Sequence, residues 1–273
     1  MKFGLALPVR GDNCRRELLV DAAKTAEDMG FDSIWVWDHY MTPYDNAQLD
    51  AWILLSHLAA VTSKIRLGTV VTPIPFRPPA MLAKMVATTD ILSEGRVILG
   101  VGAGWHRPEF EGYSEWNDDA TRVAKTHEGL RLILKLWTED KVDFEGKYYS
   151  ARGAVLEPKP IQKPHPPLWF GSFSNYMLKL TAKYGEGWIP VHISPEEYAE
   201  AKTNLLKHMK SRGKNKMTFS LFDNESHRLD TLQKRMGAFK DAGCEYYVLL
   251  WNIGDRDFKK LRKYIDEVLP SFR

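Results

Sequence analysis

The sequence predicts an α/β fold, a (β/α)8 TIM-type barrel that forms a single domain over residues 1–273. Two observations support this prediction. Short apolar runs alternate eight times with amphipathic helical patterns, and such alternation indicates parallel strands joined by right-handed crossovers. The length of 273 residues is also usual for one barrel. Eight repeats favour a closed barrel, and an open doubly wound sheet is the alternative.

The predicted strands are short runs rich in valine, isoleucine and leucine, without a clean alternation of polar residues. This composition is typical of strands that are covered on both faces. The runs span residues 2–7, 33–37, 65–71, 97–101, 168–171, 187–191, 217–221 and 246–251.

The amphipathic patterns between these runs predict helices, and several helix ends carry signals of their own. Gly30 closes the first helix, Asp50 suits the N-cap of the second, and Pro78-Pro79 opens the third. The segment 141–167 interrupts the alternation, and we expect two short β pieces there, followed by a proline-rich connector. The predicted helices lie near 15–24, 50–62, 78–92, 120–137, 175–184, 195–212, 229–241 and 256–268.

Composition excludes several classes of partner and location. The net charge of +3 comes from 38 basic and 35 acidic residues that are mixed along the chain, so we expect no nucleic-acid partner. We expect no membrane partner either, because no apolar run approaches the ~18 residues of a membrane span and the N-terminus lacks a signal-peptide pattern. With only Cys14 and Cys244, the chain suits a reducing compartment, and a cytoplasmic protein is expected.

Barrel enzymes place their sites at the carboxyl ends of the strands, so the residues that follow the predicted strands are the first candidates. Asp38 and His39 follow the second strand in WVWDHYMTPY. A histidine beside a carboxylate and among aromatic residues can bind or move a proton near neutral pH. A structural histidine bonded to a loop carbonyl explains the pattern equally well.

Two further strand ends are rich in small residues. After the fourth strand, GVGAGWHRPEF has glycines at 100, 102 and 104, which permit close approach of a flat or anionic ligand or form a tight turn. After the fifth strand, Gly171, Ser172 and Ser174 precede a helix whose first N–H groups suit a phosphate. Ser174 as a plain N-cap is the simpler interpretation.

Other enzyme classes find little support in the sequence. The eight histidines show no HxH or HExxH spacing for zinc, and no GxSxG elbow occurs. The acidic pairs Glu109/Glu111 and Asp118/Asp119 could serve a glycosidase. We interpret them instead as solvated loop charges.

Three blocks together closely resemble the bacterial luciferase-like superfamily, whose members use FMN or the deazaflavin coenzyme F420. They are GFDSIWVWDHY, the stretch from TSKIRLGTVV to GWHRPEFEGY, and LEPKPIQKPHPPLWFGS. The resemblance runs from the first strand to about residue 191, and the last third fits by pattern alone. It implies a luciferase-like barrel and is strongest for the F420-dependent oxidoreductases, in which the second strand commonly ends in Asp-His before an aromatic residue.

The resemblance also implies roles for individual residues. His39 would handle a proton and Asp38 would contact the cofactor. Val70, Val71 and Thr72 match a bulge that supports the central cofactor ring and that contains a non-prolyl cis peptide in several relatives. The remaining implied contacts are Ala103 and Gly104, whose backbone would line the cofactor, and Gly171, Ser172 and Phe173, which match the phosphate loop.

The sequence departs from the family pattern at three places. Trp105 stands where the F420-dependent sugar-phosphate dehydrogenases have a proton-donating glutamate, which argues against that reaction. Ser172 and Phe173 replace glycines in the phosphate loop, which puts the tightness of phosphate binding in question. The segment after the seventh strand, LFDNESHRLD, is short and leaves little room for a lid over a substrate.

The predicted function is F420-dependent hydride transfer to or from a small organic substrate, with His39 moving the accompanying proton. One alternative is an FMN-dependent monooxygenase that receives reduced flavin from a separate reductase. Another is a flavin-binding protein without turnover. A homodimer, and a separate flavin or F420 reductase as a partner, are expectations from the resemblance.

Overall fold

The computed structural model describes residues 1–223, 229–250 and 258–272. Eight parallel strands close into a barrel because β3 pairs with β5 as well as with β2. The described strands are β1 (Lys2–Ala6), β2 (Ser33–Val36), β3 (Arg66–Thr69), β4 (Thr72–Pro73), β5 (Val97–Gly102), β6 (Val142–Glu145), β7 (Ser150–Ala154), β8 (Leu168–Phe170), β9 (Gly187–Trp188), β10 (Thr218–Asp223) and β11 (Tyr246–Leu250).

The barrel order is β1-β2-β3-β5-β8-β9-β10-β11, and β11 returns to β1. The short strand β4 resumes the path of β3 after two intervening residues and pairs with the end of β5. The prediction of a TIM-type barrel is therefore confirmed, and the open sheet is wrong. Strands β6 and β7 form an antiparallel pair outside the barrel.

Helices surround the barrel. Among the described residues they are α1 (Arg16–Asp28), α2 (Ala51–Ala59), α3 (Pro79–Leu92), α4 (Arg107–Tyr113), α5 (Asp119–Thr138), α6 (Asn175–Tyr184), α7 (Pro195–Lys210), α8 (Leu229–Asp241) and α9 (Lys259–Glu267). None of these described helices is long and apolar enough to cross a membrane.

Three predicted helix ends are confirmed. Gly30 follows α1 with a positive φ of 74°, the Asp50 carboxylate accepts hydrogen bonds from the first turn of α2, and Pro79 is the first residue of α3. The prediction missed α4 and ended α1 four residues early. Ala26 is fully buried, so the apolar face of α1 continues to its observed end.

Large aromatic side chains fill the barrel interior. Trp35 and Trp169 lie with ring centroids 5.1 Å apart, and Tyr246 meets Trp169 edge to face at 5.2 Å. The Trp35 indole donates to the Ser33 hydroxyl over 2.5 Å. A Cβ at Gly68 or Gly187 would overlap one of these indoles, so glycines in the strands make room for the tryptophans. The interior is therefore a packed core, and the chemistry must lie at a barrel end.

Parts of three predictions lie outside the described residues. They are residue 251 at the end of the last predicted strand, residues 256–257 at the start of the last predicted helix, and residues 224–228 of the short segment after the seventh strand.

Candidate active site

The predicted site residues follow the carboxyl ends of four strands that are neighbours in the barrel. Asp38 and His39 follow β2, Val70 and Val71 lie between β3 and β4, and Thr72 begins β4. Because the barrel strands are parallel, these ends meet at the same edge. The others are Ala103 and Gly104 after β5, and Gly171, Ser172 and Phe173 after β8.

His39 is held by a glutamate that arrives from α4. The His39 Nδ1 atom lies 2.9 Å from Oε2 of Glu109 and 3.2 Å from its Oε1. The same Oε1 accepts hydrogen bonds from the backbone N–H groups of Tyr40 and Met41. Glu109 is 0% exposed and the His39 side chain 15% exposed, so this contact lies at the edge of the solvent-accessible mouth.

The interpretation of Glu109 as a solvated loop charge is wrong. Pro108, at the start of α4, is a signal for a first helical turn that could have been recognised in the sequence. In that turn Glu109 and Phe110 face inward, whereas Glu111 is exposed and pairs with Arg107 over 2.8 Å. For Asp118 and Asp119 the solvated interpretation is confirmed, since both are exposed at the start of α5.

Asp38 does not face solvent, being only 1% exposed. Arg77 donates to both of its carboxylate oxygens over 2.7 Å, and the Thr72 hydroxyl donates over 2.8 Å. Arg77 also donates to Asp50 over 3.1 Å. Burial alone would lower the pKa of Arg77, but the Asp38 carboxylate raises that pKa above its ordinary value. This buried pair ties the end of β2 to β4 and to the N-terminus of α2.

Aromatic side chains surround His39 on the α4 side. Tyr40 stacks between Phe76 at 5.0 Å and Tyr113 at 4.8 Å. Trp105 meets the His39 ring edge to face at 5.8 Å and is 56% exposed. The surface beside His39 is therefore apolar, with room for further contact on Trp105.

The bulge between β3 and β4 contains a cis peptide bond between Val70 and Val71, as the resemblance implies. The Val71 side chain packs into the angle between two strands. A Cβ at Gly102 would lie 2.5 Å from its Cγ2 atom, and a Cβ at Gly171 would lie 2.6 Å from its Cγ1 atom. Gly102 and Gly171 therefore make room for the Val71 side chain.

The other two glycines of the GVGAG pattern, Gly100 and Gly104, are required for different reasons. A Cβ at Gly100 would overlap the carbonyl oxygen of Thr69. Gly104 has a φ of 81°, which L side chains rarely adopt, so a turn explains this residue. Close packing of β5 against the end of β3 explains Gly100, and its packing against the bulge explains Gly102.

Two hydrogen bonds hold the predicted phosphate loop in place. The Ser172 carbonyl accepts from the Trp188 indole over 3.0 Å, and the Ser172 hydroxyl accepts from the Ser174 N–H over 3.3 Å. Ser174 occupies the N-cap of α6, yet in this described segment its side chain accepts no bond from the first-turn amides. Phe173 is 45% exposed. The backbone N–H groups at the start of α6 are therefore suited to donate hydrogen bonds to an anion.

A cavity of about 600 Å³ opens at the opposite end of the barrel, around Arg66, Tyr246 and Glu27. Two of its charged side chains form hydrogen bonds within the fold. Glu27 accepts from the backbone N–H groups of residues 63–65, and Arg66 donates to the Gln162 side chain over 3.2 Å. We therefore place the candidate active site at the carboxyl ends of the strands.

Comparisons with known proteins identify the family and the fold. Residues 1–222 match the model of the family described as luciferase-like monooxygenase. The chain is 35% identical over 175 residues to the F420-dependent glucose-6-phosphate dehydrogenase of Amycolatopsis mediterranei (strain U-32), which covers 63% of this chain and 52% of that protein. The chain spans about half the length of the curated relatives it matches.

Two solved structures share the fold over the whole chain. One is an F420-dependent secondary alcohol dehydrogenase in complex with an F420-acetone adduct, with a TM-score of 0.87, 24% identity and coverage of 100% of this chain and 99% of that chain. The other is the monooxygenase RslO1 from Streptomyces bottropensis, with a TM-score of 0.88, 19% identity and coverage of 100% of both chains.

Proposed function

Because this chain belongs to the luciferase-like monooxygenase family, we propose that it is a coenzyme F420-dependent oxidoreductase that moves a hydride to or from a small organic substrate. The observation that carries the proposal is His39 at the barrel mouth, bonded to the buried Glu109 and following the strand that neighbours β3 and its Val70–Val71 bulge. The F420-dependent glucose-6-phosphate dehydrogenase that it resembles supports this choice of cofactor.

The residues at the mouth fit a flat ring with a phosphate-bearing tail. The start of α6 lacks a side-chain cap and suits the phosphate, and Gly171, Ser172 and Phe173 precede it. Val70, Val71 and Thr72 would support the ring, and the Ala103–Gly104 backbone would line it. Both carboxylate oxygens of Asp38 accept hydrogen bonds from Arg77. In this proposal Asp38 would therefore hold Arg77 and the start of the His39 loop in place.

When bound, the deazaflavin supplies or accepts the hydride, and that chemistry belongs to the cofactor. The chain's own residues orient the substrate, exclude water and handle the proton. Reduction of a ketone needs one proton at the carbonyl oxygen, and His39 would deliver it. Oxidation of an alcohol needs removal of the hydroxyl proton, and His39 would accept it. A positioned histidine can do both near neutral pH.

The proposed substrate is a neutral, apolar alcohol or ketone. Trp105 supplies an uncharged and partly exposed surface beside His39. The charged side chains close to that surface are engaged with protein groups, since Asp38 binds Arg77 and Glu109 binds the His39 loop. A phosphate group on the substrate would therefore find no free cation among these residues.

A paired titration tests the choice of cofactor. The purified protein is titrated with coenzyme F420 and with FMN, and binding is followed by fluorescence. Tight binding of F420 alone would support hydride transfer, and a screen of alcohols and ketones would follow. Preference for FMN would favour the oxygen-dependent monooxygenase instead. Binding of neither cofactor would contradict both proposals.

We further propose a homodimer in the cytoplasm, served by a separate reductase where reduced cofactor is consumed. The two cysteines are free thiols, Cys14 partly buried and Cys244 fully buried, and free thiols suit a reducing compartment. Sedimentation of the purified chain tests the dimer, and a sedimentation coefficient of a monomer at micromolar concentration would contradict it.

A further inference from the structure

Glu109 carries chemistry that neither the sequence pattern nor the comparisons assign to it. Its carboxylate is completely buried and lies against three donors of one loop. These are the His39 ring at Nδ1 and the backbone N–H groups of Tyr40 and Met41. Two amide donors on Oε1 stabilise the ionised carboxylate, which can only accept a hydrogen bond. The His39 Nδ1 atom must therefore carry the hydrogen in this contact.

We propose that Glu109 is a positioning residue that fixes the tautomer of His39. With the hydrogen held at Nδ1, the Nε2 atom on the other side of the ring becomes the nitrogen that exchanges a proton with the substrate oxygen. The inference rests on the proposed function only for that last step. The tautomer itself is a property of the protein without any cofactor.

The negative charge of Glu109 has a second consequence. If His39 took the hydroxyl proton of an alcohol at Nε2, its ring would become an imidazolium, while the hydride from the broken C–H bond would be accepted by the bound oxidised cofactor. The carboxylate 2.9 Å from Nδ1 stabilises that positive charge. In the reduction of a ketone, the imidazolium returns the proton from Nε2 and becomes neutral with its hydrogen still at Nδ1.

A purely structural role for Glu109 is the competing explanation, since it also holds the loop through Tyr40 and Met41. The variant Glu109→Gln separates the two roles. Its amide oxygen can still accept from both backbone N–H groups, whereas its amide nitrogen would donate to Nδ1. The His39 hydrogen would then move to Nε2, which leaves the substrate without an acceptor. Glu111→Gln is the matched control, because Glu111 lies in the same helix but is exposed and pairs only with Arg107 among the described residues.

The decisive readout is the nitrogen NMR spectrum of histidine-labelled protein without cofactor. The chain has eight histidines, and the His39 signals are those that disappear in His39→Gln. We expect a protonated Nδ1 and a bare Nε2 in the wild type and in Glu111→Gln, and the reverse in Glu109→Gln. A bare Nδ1 in the wild type, or an unchanged tautomer in Glu109→Gln, would overturn the inference. The wild-type spectrum decides the matter even if Glu109→Gln fails to fold.

Turnover then tests the catalytic consequence. We expect kcat of Glu109→Gln to fall by roughly 10²–10⁴-fold, the usual contribution of a positioned acid or base, with cofactor affinity unchanged. A tautomer switch with unchanged kcat would show that His39 is not the proton carrier, and would overturn the role assigned to Glu109 in catalysis. Failure to bind F420 would contradict the proposed function and leave the NMR result for Glu109 intact.

Discussion

Arg77 donates one hydrogen bond to each carboxylate oxygen of Asp38, both over 2.7 Å, and the two side chains are almost fully buried. The pair joins the end of β2 to the segment after β4 and lies next to the loop that carries His39. Removing one partner of such a pair leaves an uncompensated charge in the interior, which costs far more than the pair contributes when it is intact.

The variant Arg77→Met is therefore expected to destabilise the fold by about 3–5 kcal/mol, measured as the free energy of unfolding in urea. Adding Asp38→Leu in the same chain should recover part of that loss, because the unpaired carboxylate is then gone. Arg107→Met is the control, since its partner Glu111 lies at the surface, and a change within about 1 kcal/mol is expected. Equal losses in both arginine variants would contradict this account of the buried pair.

Gly100 is expected to be intolerant of any side chain. A Cβ there would overlap the backbone carbonyl of Thr69 in the neighbouring strand. Neither strand can move away without breaking the hydrogen bonds that join the barrel strands. Gly100→Ala should destabilise the protein by about 3 kcal/mol or more, as severe overpacking does. Thermal unfolding followed by circular dichroism measures the loss.

Gly237→Ala is the matched control for this substitution. Gly237 lies within α8, and a Cβ there would meet no atom of the described residues within 4 Å. Alanine should stabilise that helix by roughly 0.5–1 kcal/mol. If Gly100→Ala unfolded at the wild-type temperature, the close approach of β3 and β5 would be contradicted.

Most of the fold could be predicted from the sequence because the barrel strands, and all described helices except α4, have local residue patterns of their own. Two strands end earlier than their apolar patterns predict. The third strand was predicted to reach residue 71 but stops at Thr69, where the bulge with its cis peptide begins. The sixth was predicted to reach residue 191 but stops at Trp188, close to Pro190, which lacks a backbone donor.

The site could be predicted only in part, because its partners are remote in sequence. His39 was found from its place after β2, but Glu109 lies 70 residues away and Arg77 lies 39 residues from Asp38. Spacing on one helix or strand cannot reveal such pairs. Asp50 shows both the local and the long-range kind of contact. Its N-cap role follows from the local pattern, whereas its hydrogen bond to Arg77 requires the closed barrel.

Acid stability should depend on Glu27. Burial would raise the pKa of its carboxyl, but hydrogen bonds from the backbone N–H groups of Ile65, Lys64 and Ser63 lower it below its ordinary value. A lowered pKa in the folded state means that the carboxylate stabilises the fold above its ordinary pKa near 4.3. That contribution is lost as the pH falls through the lowered pKa.

Glu27→Gln tests this dependence. We expect a loss of about 1 kcal/mol at pH 7, limited by solvent screening of a partly exposed group, and a smaller difference from the wild type as the pH falls below 4. Urea unfolding at several pH values measures both. A difference that stayed constant down to pH 3 would show that ionisation of Glu27 is not involved.

The start of α6 should bind the phosphate of the cofactor. Ser172→Asp would place a negative charge before that helix, and repulsion should weaken the binding of F420 and FMN at least about tenfold. Riboflavin, which has the ring without a phosphate, should bind equally to the variant and the wild type. Fluorescence titration measures all three ligands.

Ser211→Asp is the matched control for the charge itself, because Ser211 lies exposed at the end of α7. It should leave the three affinities unchanged. If Ser172→Asp weakened riboflavin as much as FMN, the substitution would act on the ring or on the fold, and the phosphate would have to bind elsewhere.

Trp105 should select apolar substrates. Its indole is 56% exposed and lies edge to face with His39, so a bound apolar molecule would cover it. Trp105→Ala should raise KM for an apolar alcohol such as cyclohexanol about tenfold, the effect of roughly 1.4 kcal/mol of lost apolar contact. The kcat should change much less, because His39 and its bond to Glu109 remain.

Trp105→Phe separates contact area from a specific role of the indole. Phenylalanine retains an apolar ring and should restore most of the affinity for cyclohexanol, as measured by steady-state kinetics with F420. Glucose 6-phosphate is the contrasting substrate. The wild type should turn it over poorly, because the charged groups around His39 are already engaged. The proposal of an apolar substrate would be contradicted if the wild type turned over the sugar phosphate efficiently and Trp105→Ala left KM for cyclohexanol unchanged. That outcome would require a free cation at the mouth.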